Sequence, residues 1–210
     1  MSSLLILLFE LMGTVAFAWS GAMIAIQKKM DLLGVILLGL TTATGGGVIR
    51  DLLLGNTPPM MFRNPMYALL AIATSVVVFL PVVRRFFHRR QHLHELILLV
   101  MDSFGLGIFT AAGIRTAMES TESFNVFLFL FVGVLTGVGG GVLRDVMAGD
   151  MPYIFVKHFY ASASILGGAA CIALWPLLGE TPSMFLSAAL TILLRLLAAR
   201  YHWNLPKSDE

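Results

Sequence analysis

A single cysteine, Cys171, serves the whole 210-residue chain, which excludes an intramolecular disulfide and any multi-cysteine metal site. Charge is scarce too. Asp, Glu, Lys and Arg make up 12% of the residues, against the ~25% usual in soluble domains. No polar stretch is long enough for a soluble catalytic or nucleotide-binding domain, so no nucleic-acid partner is expected. There is no nucleophile–base pair, no His-Glu-x-x-His and no metal-ligand set, so neither an enzyme nor a cofactor is expected. What is present is apolar: 58% of the residues are hydrophobic and the mean hydropathy is +0.86. The apolar runs are long and do not alternate, so they read as membrane helices rather than barrel strands. The net charge of +2 says little, because in membrane proteins placement matters more than total.

Seven spans are expected, at about 3–26, 32–54, 65–83, 93–114, 124–148, 158–178 and 183–201. Ala16-Phe17-Ala18 resembles a signal-peptide cleavage site. Met1 to Phe9 has no basic residue and Glu10 interrupts the apolar run, so the first segment reads as a retained helix. Lys28, Lys29, Arg84, Arg85, Arg89, Arg90, Lys157, Arg200 and Lys207 fall on one side if the spans alternate. That side is read as cytoplasmic, with the N-terminus outside and the C-terminus inside. Arg63 and Arg115 are outnumbered exceptions, and Glu119, Glu122 and Glu180 share their side. The basic segment at Arg84, Arg85, Arg89 and Arg90 is a topology signal, with anionic lipid contact as its other reading. His88, His92 and His94 beside it lack the partners for a metal site.

One string occurs twice. Gly45-Gly46-Gly47-Val48-Ile49-Arg50-Asp51 returns as Gly139-Gly140-Gly141-Val142-Leu143-Arg144-Asp145, an offset of 94. Gly55 and Pro58 match Gly149 and Pro152 in the same register. Glu10, Gly13 and Phe17 match Asp102, Gly105 and Phe109 at an offset of 92, and Tyr67 matches Tyr160 at 93. The chain therefore divides into a first three-helix repeat (1–91), a second (92–179), and a seventh helix with its tail (180–210). A unit with an odd number of spans reverses direction when repeated, so the repeats are inverted about an axis in the membrane plane.

From Leu32 to Thr44 a helix rises about 20 Å, and from Phe124 to Val138 about 22 Å, both short of a ~30 Å hydrocarbon core. Both glycine triplets therefore lie inside the membrane. Three glycines in a row weaken a helix, and the expectation is that helices 2 and 5 are broken there, lining a polar pathway. Close helix packing is the competing reading, and Gly133 to Gly137 is a GxxxG. Thr41, Thr44 and Thr136 sit just ahead of the expected breaks as candidate lining. Arg50, Asp51, Arg144 and Asp145 are candidate pathway charges or a gate, as are Glu10 and Asp102 at matched membrane depths. Adjacent helical residues point about 100° apart, so each Arg is expected to pair across the repeats. Arg50 would pair with Asp145 or Asp102, and Arg144 with Asp51 or Glu10.

With its span count, inverted repeats and doubled Gly-Gly-Gly-x-x-Arg-Asp string, the chain resembles the prokaryotic branch of the trimeric intracellular cation (TRIC) channel family. That branch is also known as the bacterial glycine-transporter domain family. The resemblance covers nearly the whole chain. It implies a homotrimer in a cell (inner) membrane, with one pore per subunit lined by broken helices 2 and 5. It also implies conduction of monovalent cations, chiefly potassium. Animal members carry Lys-Glu-Val in these helices and bind phosphoinositide there; this chain has Arg-Asp instead. A secondary transporter of glycine or another small solute is the alternative, since Arg50 and Arg144 suit a carboxylate. They would repel potassium unless Asp51 and Asp145 neutralise them.

Overall fold

The computed structural model describes residues 2–83, 91–156 and 159–203. Seven long helices account for most of them: α1 (Ser2–Gln27), α2 (Leu32–Leu53), α3 (Met66–Phe79), α4 (Gln91–Glu119), α5 (Val126–Met147), α6 (Tyr160–Leu178) and α7 (Glu180–Arg200). Single helical turns, Met60–Arg63 and Tyr153–Val156, follow α2 and α5. Among the described residues there is no strand. Six of the long helices are apolar and long enough to cross a membrane, and α3 is a shorter apolar helix. Arg84, Arg85, Arg89 and Arg90, the proposed lipid-contacting residues, lie outside the described residues.

Two helices end away from their expected positions. α3 stops at Phe79, because Leu80 (φ −54°, ψ 139°) leaves the helical region ahead of Pro81. α4 runs on to Glu119, drawing Arg115 and Glu119 out of the expected loop and into a helical i,i+4 ion pair of 2.8 Å.

The repeats start and stop alike. Asp31 caps α2 by accepting from the Gly34 N–H (2.8 Å), and Asn125 caps α5 by accepting from the Leu128 N–H (3.0 Å). Gly55 and Gly149 follow the two helices with φ of +73° and +74°, the left-handed region that glycine occupies without strain. Contacts between helix ends set the directions. The α2 end meets the α4 end where the Asn56 amide donates to the Ser120 hydroxyl (2.9 Å). On the opposite face, Lys28 after α1 pairs with Asp150 after α5 (2.5 Å).

The helix breaks expected at the triple glycines are absent. α2 is helical through Gly45, Gly46 and Gly47, and α5 through Gly139, Gly140 and Gly141. The glycines instead let the two helices cross backbone to backbone, the packing alternative. Gly139 lies against the Gly46 α-carbon, where a methyl group would stand 3.2 Å away. A methyl at Gly46 would overlap the Thr136 carbonyl, and one at Gly140 would overlap the Thr42 carbonyl. These two contacts are the same contact, exchanged by the repeat. An unbroken helix also keeps its amides and carbonyls bonded, which the membrane interior demands. Near the crossing, Phe17 and Phe109, again matched positions, meet with their rings tilted by 37° and 5.4 Å between centroids. α7 packs on α4 and α6 through small residues, with the Ser187 hydroxyl donating to the Gly167 carbonyl (2.8 Å).

Candidate functional site

A cavity of about 280 Å³ opens at the end of the bundle where α1 begins and α2 and α4 finish. Its walls carry Glu10 and Thr14 from α1, Thr44, Gly47, Arg50 and Asp51 from α2, and Tyr67 from α3. Arg115, Thr116 and Glu119 from α4, with Asn56 and Arg63 from the segment after α2, add the other charged and polar groups. The cavity, called the vestibule below, is lined by residues of the first repeat and α4, while α2 and α5 meet at the glycine contacts.

The Arg-Asp strings are not joined across the repeats as expected. Each arginine bonds its own neighbour: Arg50 Nε donates to Asp51 Oδ1 and Arg144 Nε to Asp145 Oδ1, both at 2.8 Å. A side chain with four rotatable bonds bends through the 100° that separates adjacent Cβ directions. The second carboxylate oxygen is used as well. Asp51 Oδ2 accepts from the Met60 N–H (2.8 Å) and Asp145 Oδ2 from the Tyr153 N–H (2.9 Å). Met60 and Tyr153 open the single helical turns, so each aspartate latches the returning chain to the end of its helix.

The two ends then diverge. In the first repeat the Tyr67 hydroxyl donates to Glu10 Oε2 (2.6 Å), and Arg50 bonds Asp51 rather than Glu10. In the second, Arg144 Nη1 donates to Asp102 Oδ1 (2.6 Å) and to the Ser20 hydroxyl (2.5 Å). Arg144, Asp145 and Asp102 are all buried, with side-chain exposures of 0%, 2% and 1%. Tyr160, the counterpart of Tyr67, is buried there with its ring under the Arg195 guanidinium (4.6 Å). Arg144 thus reaches a hydroxyl of the other repeat, but its carboxylate partners are both its own repeat's.

Of the expected site residues, Glu10, Thr44, Gly47, Arg50 and Asp51 line the cavity. Gly45, Gly46, Gly139 and Gly140 lie in helix contacts, and Asp102, Gly141, Arg144 and Asp145 in the buried cluster. Thr41 is one turn before Gly45, outside the cavity wall. Thr44 and Thr136 spend their hydroxyls on their own helix, donating to the Leu40 (2.8 Å) and Val132 (2.6 Å) carbonyls. Sequence reasoning gives no site role to Tyr67, Tyr160 or Ser20 and does not bring together the charges at the mouth of the cavity. There Arg115 meets Glu119 (2.8 Å), Glu180 (2.5 Å) and Glu10 (3.6 Å). The matched tyrosines were a usable signal; the Arg115 cluster draws on helices far apart in sequence. Among the described residues no group of three His, Cys, Asp or Glu is placed to hold a metal ion.

The glycine transporter family model matches twice, over residues 7–82 and 99–176. The chain belongs to the glycine transporter (TRIC) family. Among the curated members, the UPF0126 inner membrane protein YadS of Escherichia coli strain K12 is 35% identical over 206 residues, covering 97% of this chain and 96% of that one. A solved TRIC cation channel superposes with a TM-score of 0.84 at 38% identity, over 97% of both chains. The TRIC orthologue from Rhodobacter sphaeroides gives 0.84 at 31% identity, over 94% of this chain and 98% of that one. The two stretches that match the family model contain the vestibule residues from Glu10 to Tyr67 and the buried cluster around Arg144 respectively. This TRIC-family chain is thus a multi-span membrane protein, and its family match includes both copies of the doubled string.

Proposed function

We propose that this protein is a monovalent cation channel, mainly permeable to potassium, that assembles as a homotrimer with one pathway in each subunit. The pathway enters by the vestibule beside α2 and leaves past the Arg144 cluster beside α5. The observation that carries this reading is the self-neutralisation of the Arg-Asp strings. Asp51 holds Arg50 and Asp145 holds Arg144, each at 2.8 Å, so neither arginine presents an unopposed charge to a cation. At the mouth, Arg115 faces Glu10, Glu119 and Glu180, three carboxylates to one guanidinium. With Asp51, Arg50 and Arg63, which also line the cavity, the count is four carboxylates to three guanidiniums, and this excess of one negative charge raises cation concentration at the entrance. The likeness to solved TRIC cation channels over 97% of the chain supports the same reading. By the distribution of lysine and arginine, the vestibule faces outward and the Arg144 end faces the cytoplasm.

A second reading, a secondary transporter of glycine or another small solute, is favoured by the place of the cavity at one end of the bundle, since alternating access opens one end at a time. Purified protein in a planar bilayer with a potassium gradient separates the two. Unitary currents whose reversal potential follows potassium are expected. Electrical silence together with saturable uptake of labelled glycine into vesicles would replace the channel with the transporter.

A further inference from the structure

The single helical turns after α2 and α5 are matched as closely as the helices before them. Met60–Arg63 and Tyr153–Val156 stand at an offset of 93, and each closes with the same bond. The Phe62 N–H donates to the Pro59 carbonyl (2.9 Å), and the Phe155 N–H to the Pro152 carbonyl (3.0 Å). Other side chains of these turns face inward. Met60, Met61 and Arg63 line the vestibule, and the Tyr153 ring lies under the Arg144 guanidinium (5.1 Å). One side chain of each turn faces out: Phe62 is 67% exposed and Phe155 74%. A lone exposed phenylalanine would need no explanation, but the same one at both ends of an inverted repeat does.

Helix length indicates what covers these rings. α2 and α5 have 22 residues each, about 33 Å of helix against a hydrocarbon core of ~30 Å. A turn folded back on the end of such a helix lies where acyl chains give way to headgroups. Apolar surface continues from each turn onto its helix. Leu52 and Leu53 are exposed at one end, and Val146 and Met147, their matches at an offset of 94, at the other. Beside the second turn, Phe159 meets the Trp203 ring edge-on (6.0 Å), and Tyr201 stacks on the same indole (6.5 Å). Tyrosine and tryptophan collect where membrane meets water.

We infer that Phe62 and Phe155 are a pair of interfacial anchors, one for each leaflet, whose partner is the boundary between acyl chains and headgroups. Asp51 and Asp145 mount them. One oxygen of each carboxylate holds its arginine, and the other holds the N–H that opens the turn, just ahead of the anchor. The aspartate of each Arg-Asp string thereby has a task apart from neutralising charge: it fixes the anchor to the end of its helix. Two anchors about a helix length apart tie the bundle to a bilayer of matching thickness. The inference does not depend on what the protein conducts.

The test places a nitroxide at each anchor. Phe62→Cys and Phe155→Cys, in a Cys171→Ala background, are spin-labelled in phosphatidylcholine vesicles. Collisions with oxygen, which enriches in lipid, are compared with those of a nickel chelate, which stays in water. Glu122→Cys, exposed after α4, is the aqueous reference, and Ala189→Cys, exposed midway along α7, is the mid-membrane reference. Both anchor labels are expected to give oxygen-to-nickel ratios several-fold above the first reference and below the second. A ratio equal to either reference overturns the inference. So does exclusion of both probes with spin–spin broadening, which would put a second copy of the chain on that face. The mount is tested by Met60→Pro, which removes the N–H that Asp51 holds. The first position of a helical turn accepts proline, and Pro59 (ψ 152°) has the extended conformation that suits a following proline. The Phe62 label is expected to gain mobility and move toward the aqueous ratio, while the Phe155 label keeps its own and shows the bundle intact. A Phe62 label that neither Met60→Pro nor Asp51→Ala moves overturns the mount.

Discussion

Arg50 and Arg144 hold matched positions but carry unequal burdens. Arg144 has no exposed side-chain surface and two buried carboxylates depend on it, Asp102 and Asp145. Arg144→Met leaves both as uncompensated charges and is expected to cost about 3–5 kcal/mol, the usual result of breaking a buried pair. Arg50→Met should cost less, because Arg50 borders the vestibule and water can reach the exposed edge of its site. Thermal unfolding in detergent compares the two; equal losses would contradict the burial argument. At this scale the sequence showed which residues carry charge at membrane depth, Glu10 and Asp102 included. It did not show how they pair. Cβ directions point to pairing across the repeats, and the long flexible arm of arginine overrides those directions. Ser20 carries no distinguishing signal for another reason: a lone serine in a membrane helix ordinarily bonds its own backbone, and only its neighbour across the repeats makes it otherwise.

At the scale of the helix, the triple glycines had two physical meanings, a weak helix and a thin one. Which applies depends on what lies opposite, and that information is not local. Here a helix backbone lies opposite, so thinness decides. The hint was the spacing of small residues at Gly133, Gly137 and Gly140–Gly141, which is a packing face carried through to the triplet. Gly46→Ala and Gly140→Ala each place a methyl on a carbonyl of the facing helix. Each is expected to destabilise by about 1–3 kcal/mol through overpacking, measured by denaturation in micelles. Gly55→Ala meets no atom and pays only for its positive φ, about 1 kcal/mol. The latches offer a second check on the elements. Asp145→Ala frees the Tyr153 N–H, so amide exchange at Tyr153 should accelerate while exchange at Met60, held by Asp51, stays as it was.

For the whole molecule, the sequence was legible where hydropathy alone decides. The order of the helices followed from apolar run lengths, because the membrane sets a minimum length and forbids unbonded backbone. The vestibule was not legible, because its mouth joins the start of α1, the end of α4 and the start of α7. Its charge excess has a measurable consequence. Glu119→Gln is expected to lower unitary potassium conductance at low ionic strength and to have little effect near 1 M salt, where the screening length falls to about 3 Å. The crossing of α2 and α5 has a further meaning. Gly46 on Thr136 and Gly140 on Thr42 are reciprocal contacts, and Phe17 meets its own counterpart. That is the form of an isologous dimer interface, with both partners on one polypeptide. In a true homodimer every substitution appears on both sides of the axis. A covalent fusion lifts that constraint, so the self-complementary centre can stay fixed while the two rims specialise separately, as Ser20 against Ala112 and Asp102 against Glu10, each pair at an offset of 92, have done here.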